Sequence, residues 1–502
     1  MAWGDPMTVV LSAGGLSPEE VEAVALGKPL VWAPGLAAEL ASAEADFSDL
    51  LARGTRVYGV TTEVAARSSY DIPAALRPDY QLAMLRSHAC GTGALLDRVQ
   101  ARAAWVTKAA GLATGRSGCS VAIVRAITDA LNAGLAPAVP VTGSLAASGD
   151  LVPSAHAALP LLGEGELLDA TGAAVPAGPV LAGAGLRPVA LGPRDGLSLV
   201  NGTSVTAALG SLALLGAERL ICVADVLAGA GFEARPGHSD ALSETVIAAR
   251  PHRGALTSAA AVNGALGTAV GASREAGARF HDPYGWRCVP QVHGAAHDAL
   301  RYLRDAVSTE LRSCTDNPLQ GGAAGLVSGG NFHAAPLGIP LDTATVALTV
   351  LAGLSRQRLV QLLDQPRLPQ ALVGPGGKFG LTMLVATATA HVLELAGLSP
   401  ASTRWLPVDD VEDHVANATA SARQLGAAVA GAQIVLAAEA MALAATVDLG
   451  GLRPVGPGLQ VVYAMVRDVV GVPGADRSES AALTTIGARI AELATLRGGA
   501  PG

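Results

Sequence analysis

The stretch GSLAASGDLVPSAH, residues 143–156, sets four small residues, Ala146, Ala147, Ser148 and Gly149, immediately before Asp150. So little bulk leaves room for the backbone itself to react. If a tight turn brings the Gly149 nitrogen onto the Ala147 carbonyl carbon, a five-membered ring closes. Loss of one water from that ring and a second from Ser148 leaves an exocyclic methylene, an electrophile that no ordinary side chain supplies. The chemistry asks for glycine as nucleophile, serine as source of the alkene and a small first residue, and the chain has all three. The bare tripeptide serves a plain turn equally well, so its neighbours decide.

Rival constellations are weak. GPGGKFG at 374–380 has Phe379 where a phosphate-binding loop needs Ser or Thr. His293 and His297 in HGAAH have i, i+4 spacing but lack the glutamate of the zinc-protease pattern, so they read as a pair on one helix face, and no metal site is expected. Ser148, Asp150 and His156 lie close together, yet no G-x-S-x-G elbow surrounds the serine, which disfavours a hydrolase.

The elements that must position these residues are mainly helical. LSPEEVEAVALG begins a helix by rule, with Ser17 as N-cap, Pro18 at the first helical position, Glu20 completing a capping box and Gly27 closing it. TRVYGVTTEVAARSSYD reads as strand or loop. From Pro78 to Ala136 the pattern is helical, broken at SHACGTG and TGRSGCS. Residues 167–202 carry turn signals throughout and predict short strands and loops. Beyond Thr203, long Ala/Leu segments fall at roughly 203–231, 337–365, 381–398, 411–447 and 478–497. In the last, Leu483, Ile486, Ile490 and Leu493 mark one helical face. The expected fold is mainly α, divided by texture into an N-terminal region, 1–202, and a long-helix region, 203–502.

Composition narrows the function. Of 502 residues, 50% are hydrophobic and 15% charged, with 34 basic and 42 acidic residues giving a net charge of −8. That balance argues against a nucleic-acid partner, which requires a basic face. Five widely spaced cysteines make neither a disulfide framework nor a zinc site, and no signal peptide precedes the first helix, so the cytoplasm is expected. Charges such as Glu218, Arg219, Asp225 and Glu439 interrupt the apolar runs, which read as buried bundle helices and not membrane spans. So apolar a chain is expected to bury surface against copies of itself.

The string around Ser148 resembles the signature of the ammonia-lyases and aminomutases that use 4-methylidene-imidazol-5-one (MIO), acting on histidine, phenylalanine or tyrosine. Further stretches match in the same order: YGVTT at 58–62, SHACGTG at 87–93, NGTSVT at 201–206, DPYGWRCVPQVHG at 282–294, TDNPL at 315–319, GGNFH at 329–333 and EDHV at 412–415. The resemblance spans roughly residues 50 to 450. It implies an MIO group formed from Ala147, Ser148 and Gly149, without external cofactor, and a homotetramer whose active sites draw on several subunits.

It also implies roles. Tyr58 would take the β-proton, which requires a lowered phenol pKa, where an isolated strand tyrosine would be the plain reading. Arg287 would hold the substrate carboxylate as a bidentate pair, where the plain reading is a surface ion pair. Tyr284 and Asn201 would face the MIO group and the substrate amine. Gln291, Asn317 and Phe332 would line the pocket or bond within it, although each also reads as an ordinary structural residue. Ser87-His88 and Glu412 resemble the histidine-specific members, and a carboxylate there suits an imidazole N–H, whereas its desolvation would be unrecovered against a phenyl ring.

Four departures stand out. Thr62-Glu63-Val64-Ala65 replaces a Gly-aromatic-Gly run, which stiffens the lid and brings in a carboxylate. His281 replaces a glutamine, Trp286 would narrow the pocket, and Lys378 stands where a small polar residue is usual. The expectation is an ammonia-lyase acting on L-histidine or a similar polar or aromatic amino acid. The alternatives are a 2,3-aminomutase or lyase for tyrosine, phenylalanine or a modified amino acid, and a silent homologue serving binding or assembly.

Overall fold

A computed structural model describes residues 8–235, 237–269, 280–322, 325–404, 406–408, 411–471 and 478–496. Residues 1–7, read above for a leader, and residue 497 of the last helical segment lie outside them. The chain divides into two compact units, each assembled from three stretches: Met1–Ala213, Arg304–Asp342 and Pro400–Arg423 in the first; Leu214–Leu303, Thr343–Ser399 and Gln424–Gly502 in the second.

In the first unit, strands Val9–Leu11 and Leu30–Trp32 pair in parallel around helix Pro18–Ala25. The predicted capping box is present: Ser17 Oγ accepts from the Glu20 amide, and the Ser17 amide donates to Glu20 Oε2 at 2.7 Å. This helix packs on Arg98–Ala113, which packs in turn on Val121–Asn132. The buried Arg102 guanidinium joins the three, donating to the carbonyls of Val24, Ala25 and Leu131 at two helix ends and of Leu135 in the loop beyond. The breaks predicted at SHACGTG and TGRSGCS separate Arg77–His88, Arg98–Ala113 and Val121–Asn132, and the first break carries strand Thr92–Leu95, paired antiparallel with Pro140–Thr142. The short strands expected over 167–202 appear as Glu166–Leu168, starting one residue earlier, paired antiparallel with Ala174–Pro176. The same stretch also forms two short helices that turn signals concealed, Ala177–Gly183 and Asp195–Val200.

The second unit packs Arg253–Leu266 against Pro457–Val470 and the latter against Ser480–Arg489. Leu483, Ile486, Ile490 and Leu493 are all buried, as their spacing predicts.

Four long helices, Ser204–Ala234, Val289–Glu310, Ala335–Leu363 and Ala418–Leu449, pass the boundaries between the stretches. The last starts seven residues later than predicted, because 411–417 is irregular and Asn417 adopts a left-handed conformation at φ 50°. Val289–Glu310 was hidden by its many charges. Ser204–Ala234, Ala335–Leu363, Thr382–Thr403 and Ala418–Leu449 are long and apolar enough to cross a membrane, so the charges noted above do not shorten them below that length. The most apolar windows of the first, second and fourth are 78%, 56% and 67% buried within the protein, which fits bundle helices.

Candidate active site

The site begins with the turn at 143–150, where the backbone is unusual for its residue types. Ala146 has φ 52° and Gly149 φ 83°, both left-handed. Gly149 lies alongside Gly202 in a parallel bridge, and a Cβ added to it would stand 2.2 Å from the Gly202 carbonyl oxygen, so only glycine fits. The next amide, of Asp150, donates to that same oxygen at 2.8 Å.

Asp150 is wholly buried, and such a carboxylate must be surrounded by donors. Its Oδ1 has the hydroxyls of Ser144, Thr206 and Thr419 around it, each at 2.8 Å, and its Oδ2 accepts the Thr206 amide at 2.7 Å, in the first turn of the long helix Ser204–Ala234. One side chain thus ties the small-residue turn to two helix starts. Around it, Ala146 packs with Ala334, Ala416 and Ala418, and the Asn417 amide donates to the Leu145 carbonyl. The bonds of Asp150 are structural. His156 instead accepts the Gly91 amide through Nε2 at 3.0 Å, and burial holds its pKa below the usual histidine value, so Ser148, Asp150 and His156 form no hydrolytic triad.

The irregular segment 411–417 brings Glu412 to the turn, where Ser148 Oγ donates to Glu412 Oε1 at 2.6 Å. Beside it, His333 of GGNFH and His414 of EDHV stack with ring centroids 5.0 Å apart and Nε2···Nδ1 at 3.0 Å. The Ala335 amide donates to His333 Nδ1, so His333 carries its proton on Nε2, and burial followed by the nearness of His414 lowers its pKa.

Asn201 and Asn317 also meet. Asn201 Nδ2 donates to Asp316 Oδ1 at 2.9 Å and to the Asn317 carbonyl at 3.2 Å, while Asn317 Oδ1 accepts the Gly329 amide and so fastens the loop bearing the half-buried Phe332. Two residues that sequence reasoning passed over support this group. The fully buried Lys108 donates to the Asn201 carbonyl at 2.7 Å and to that of Ser198 at 3.2 Å; burial lowers its pKa, opposed by Asp316 and Asp150. Asp316 accepts from Ser198 Oγ and pairs with Arg194 at 3.2 Å. Asp316 stood in the quoted TDNPL, whereas Lys108 is a single cation in an apolar helical run with no signal around it.

Tyr58 and His88 are each held by residues close to them in sequence. The Tyr58 hydroxyl accepts the Ala65 amide at 2.9 Å. The lid that follows is closed by the Thr62–Asp71 bridge, an Arg56–Asp71 ion pair at 2.9 Å and a Glu63–Arg67 pair, with Arg67 over the Tyr70 ring. The altered Thr62-Glu63-Val64-Ala65 run is therefore an internally bonded turn. His88 ends helix Arg77–His88 and donates from Nδ1 to the Met84 carbonyl at 2.8 Å, leaving Nε2 as the acceptor in the neutral ring.

Tyr284, Arg287 and Gln291 lie in the second unit. Tyr284–Arg287 is a four-residue helix whose Tyr284 is 72% exposed, and Arg287 and Gln291 are exposed as well. His281 is exposed with its ring against Phe280, and Lys378 is exposed. Trp286 corrects the sequence reading. It is fully buried, its ring filling the space that a side chain at Gly231 would occupy and meeting Phe232 edge-on at 5.7 Å.

An aromatic amino acid lyase family model matches residues 16–468. The chain is 36% identical to the histidine ammonia-lyase of Chloroflexus aurantiacus over 92% of both chains. The fold superposes on the tyrosine aminomutase of Streptomyces globisporus with a TM-score of 0.91, 29% identity and 98% of each chain covered. It also superposes on the histidine ammonia-lyase of Trypanosoma cruzi, with a TM-score of 0.89, 29% identity and coverage of 98% and 95%. The mainly helical expectation is borne out, and the chain belongs to the aromatic amino acid lyase family.

Proposed function

We propose that the protein is a carbon–nitrogen lyase that eliminates ammonia from L-histidine, with an MIO group made from its own Ala147, Ser148 and Gly149. The observation that carries this reading is the approach of Gly149 to Gly202, which admits glycine alone and leaves a small-residue turn fixed by Asp150. The ring's methylene would supply the electrophile that captures the substrate through its amine or its ring. The chain's own residues do the rest. Tyr58 takes the β-proton, Arg287 holds the carboxylate, Asn201 and Tyr284 bound the amine, and His88 with Glu412 reads the imidazole, with Gln291, Asn317 and Phe332 as walls. Helices Leu151–Ala158 and Ser204–Ala234 begin two residues beyond Gly149 and Gly202, which favours negative charge developing at the turn.

The division into 1–202 and 203–502 keeps a functional sense: the first region makes the electrophile and carries the base, and the second carries the carboxylate arm. We place the enzyme in the cytoplasm as a homotetramer with shared sites, without nucleic-acid or membrane partners. The exposure of Tyr284 and Arg287 suits residues that serve a neighbouring subunit's site. A subunit face is also suggested by Thr382–Thr403, whose apolar window is only 17% buried. All five cysteines are thiols, in keeping with a reducing compartment.

The pinned lid favours one second reading, a 2,3-aminomutase, because a lid that opens slowly retains product long enough for ammonia to return. Incubation with L-histidine, L-tyrosine, L-phenylalanine and L-tryptophan, following ammonia, unsaturated acid and β-amino acid together, separates the two. Urocanate and ammonia from histidine support the lyase, and a β-isomer supports the mutase. A wild-type mass not short by two waters refutes the MIO group.

A further inference from the structure

The HGAAH motif, left without a role above, lies at the centre of a buried polar chain within the second unit. His293 and His297 sit one turn apart on Val289–Glu310 and both face Asp225 of Ser204–Ala234. His293 Nδ1 is 2.7 Å from Oδ1, and His297 Nε2 is 2.8 Å from Oδ2. Ser258 Oγ donates to the same carboxylate at 2.7 Å. On its other side His293 Nε2 lies 3.1 Å from Arg358 Nη1, and Arg358 makes a two-pronged pair with Glu439, which also accepts from Ser355. Asp225, His293, Arg358 and Glu439 are all at most 1% exposed.

The proton positions in this chain are fixed by its donors. Arginine can only donate, so His293 Nε2 bears the lone pair and Nδ1 carries the proton that goes to Asp225. Burial, outweighing the pull of Asp225, lowers the His293 pKa and keeps the ring neutral. Burial alone would raise Asp225; the hydrogen bonds from His293 and His297 outweigh it and keep the carboxyl low. A neutral imidazole between a cation and an anion has one orientation only.

Above this chain stands the turn bearing Tyr284 and Arg287. Arg358 Cγ lies 3.6 Å from the point where a Cβ on Gly285 would be, and its guanidinium is 5.9 Å from the Trp286 ring. Arg235 covers the same ring at 4.4 Å and pairs with Asp282 at 2.9 Å. The turn has few bonds of its own: the Trp286 and Arg287 amides reach the Pro283 carbonyl, and the Cys288 amide reaches that of Tyr284.

We propose that His293, locked between Arg358 and Asp225, is a positioning residue that fixes the floor under the Tyr284–Arg287 turn and thereby the direction in which Arg287 is presented. The consequence for catalysis rests on the reading of Arg287 as the carboxylate holder; the consequence for the turn does not.

The test uses the full chain with His293→Leu, which removes donor and acceptor, and His293→Gln, which keeps one of each. Hydrogen exchange of the 283–288 backbone is read by mass spectrometry. KM and kcat are measured with L-histidine, and inhibition with histidinol, which lacks the carboxylate. His293→Leu should accelerate exchange at 283–288 and raise KM, each by about tenfold, with kcat within about twofold and histidinol inhibition unchanged. Exchange in Arg98–Ala113 should stay as in wild type, and His293→Gln should restore most of the loss. Unchanged exchange at 283–288 in folded His293→Leu overturns the proposal, as does an equal loss for histidine and histidinol. Arg287→Gln separates the two readings. If it raises KM while His293→Leu does not, the positioning role is refuted. If neither raises KM although exchange accelerates, the carboxylate role of Arg287 fails and the positioning of the turn stands. Without turnover of L-histidine the exchange arm decides alone. If His293→Leu does not fold, Asp225→Asn is measured in the same way, and wild-type exchange there overturns the proposal.

Discussion

Gly149→Ala tests the reasoning about the reactive turn most directly. The added methyl would meet the Gly202 oxygen at 2.2 Å, its carbonyl carbon at 2.5 Å and its Cα at 2.7 Å, all backbone atoms that cannot rotate away. Either strand must then retreat by roughly 1 Å to reach van der Waals separation. That movement breaks the 2.8 Å bond from the Asp150 amide to Gly202, a net loss of about 1 kcal/mol. Holding alanine at φ 83° costs about 1–2 kcal/mol more, and the overpacking about 1–3 kcal/mol. The expected destabilisation is therefore about 3–6 kcal/mol. Heat denaturation followed by circular dichroism, together with intact mass, reads both consequences: a lowered Tm, and a chain that no longer loses two waters. A variant with wild-type Tm that still loses both waters would refute the reasoning that only glycine fits beside Gly202.

Ser148→Ala should keep the fold and wild-type Tm within a few degrees yet abolish turnover and dehydration; retained ammonia release would sink the prosthetic group. Arg102→Met removes a buried donor from four carbonyls, of which those of Ala25 and Leu135 depend on it most, and should cost about 3–5 kcal/mol by denaturant unfolding, with kcat per folded enzyme unchanged. Stability should also fall on acidification. His156, His293 and His333 have pKa values lowered by burial, so below the ordinary value of 6.5 the unfolded chain binds protons that the folded chain refuses. Their contribution is complete above pH 6.5 and is lost as pH falls through the lowered values. Tm against pH should drop below that point in wild type and less steeply in His156→Gln; equal slopes would count against the burial argument.

The parts of the fold legible in the sequence were those fixed by local chemistry. Ser17, Pro18 and Glu20 announce a cap because the cap is made of those three residues, and Leu483 to Leu493 announce a face because burial follows the helical period. Helix Asp195–Val200 was not legible, since its six residues are held by Gln81, Lys108 and Ser120 through partners 75 or more residues away. In the site, the Ala147-Ser148-Gly149 turn and Glu412 were readable from motif and chemistry, whereas Lys108 and the His333–His414 pair were not, because their meaning lies in what they touch. Trp286 was misread for the same reason: an aromatic beside an arginine proposed to hold substrate suggests a pocket wall until Gly231 is found opposite it.

The clamp on the reactive turn has a consequence for the timing of synthesis. Ser148, Ser144 and Asp150 are bonded by Glu412 and Thr419, which follow them by 264 to 275 positions. A nascent chain carries the Ala-Ser-Gly triplet long before it carries the groups that hold that triplet in place. If the MIO group forms as proposed, its formation waits until more than four-fifths of the polypeptide has been made, and a chain truncated before Glu412 keeps an unmodified serine. On that reading, closure of the turn by residues so far downstream would tie the electrophile to a complete chain.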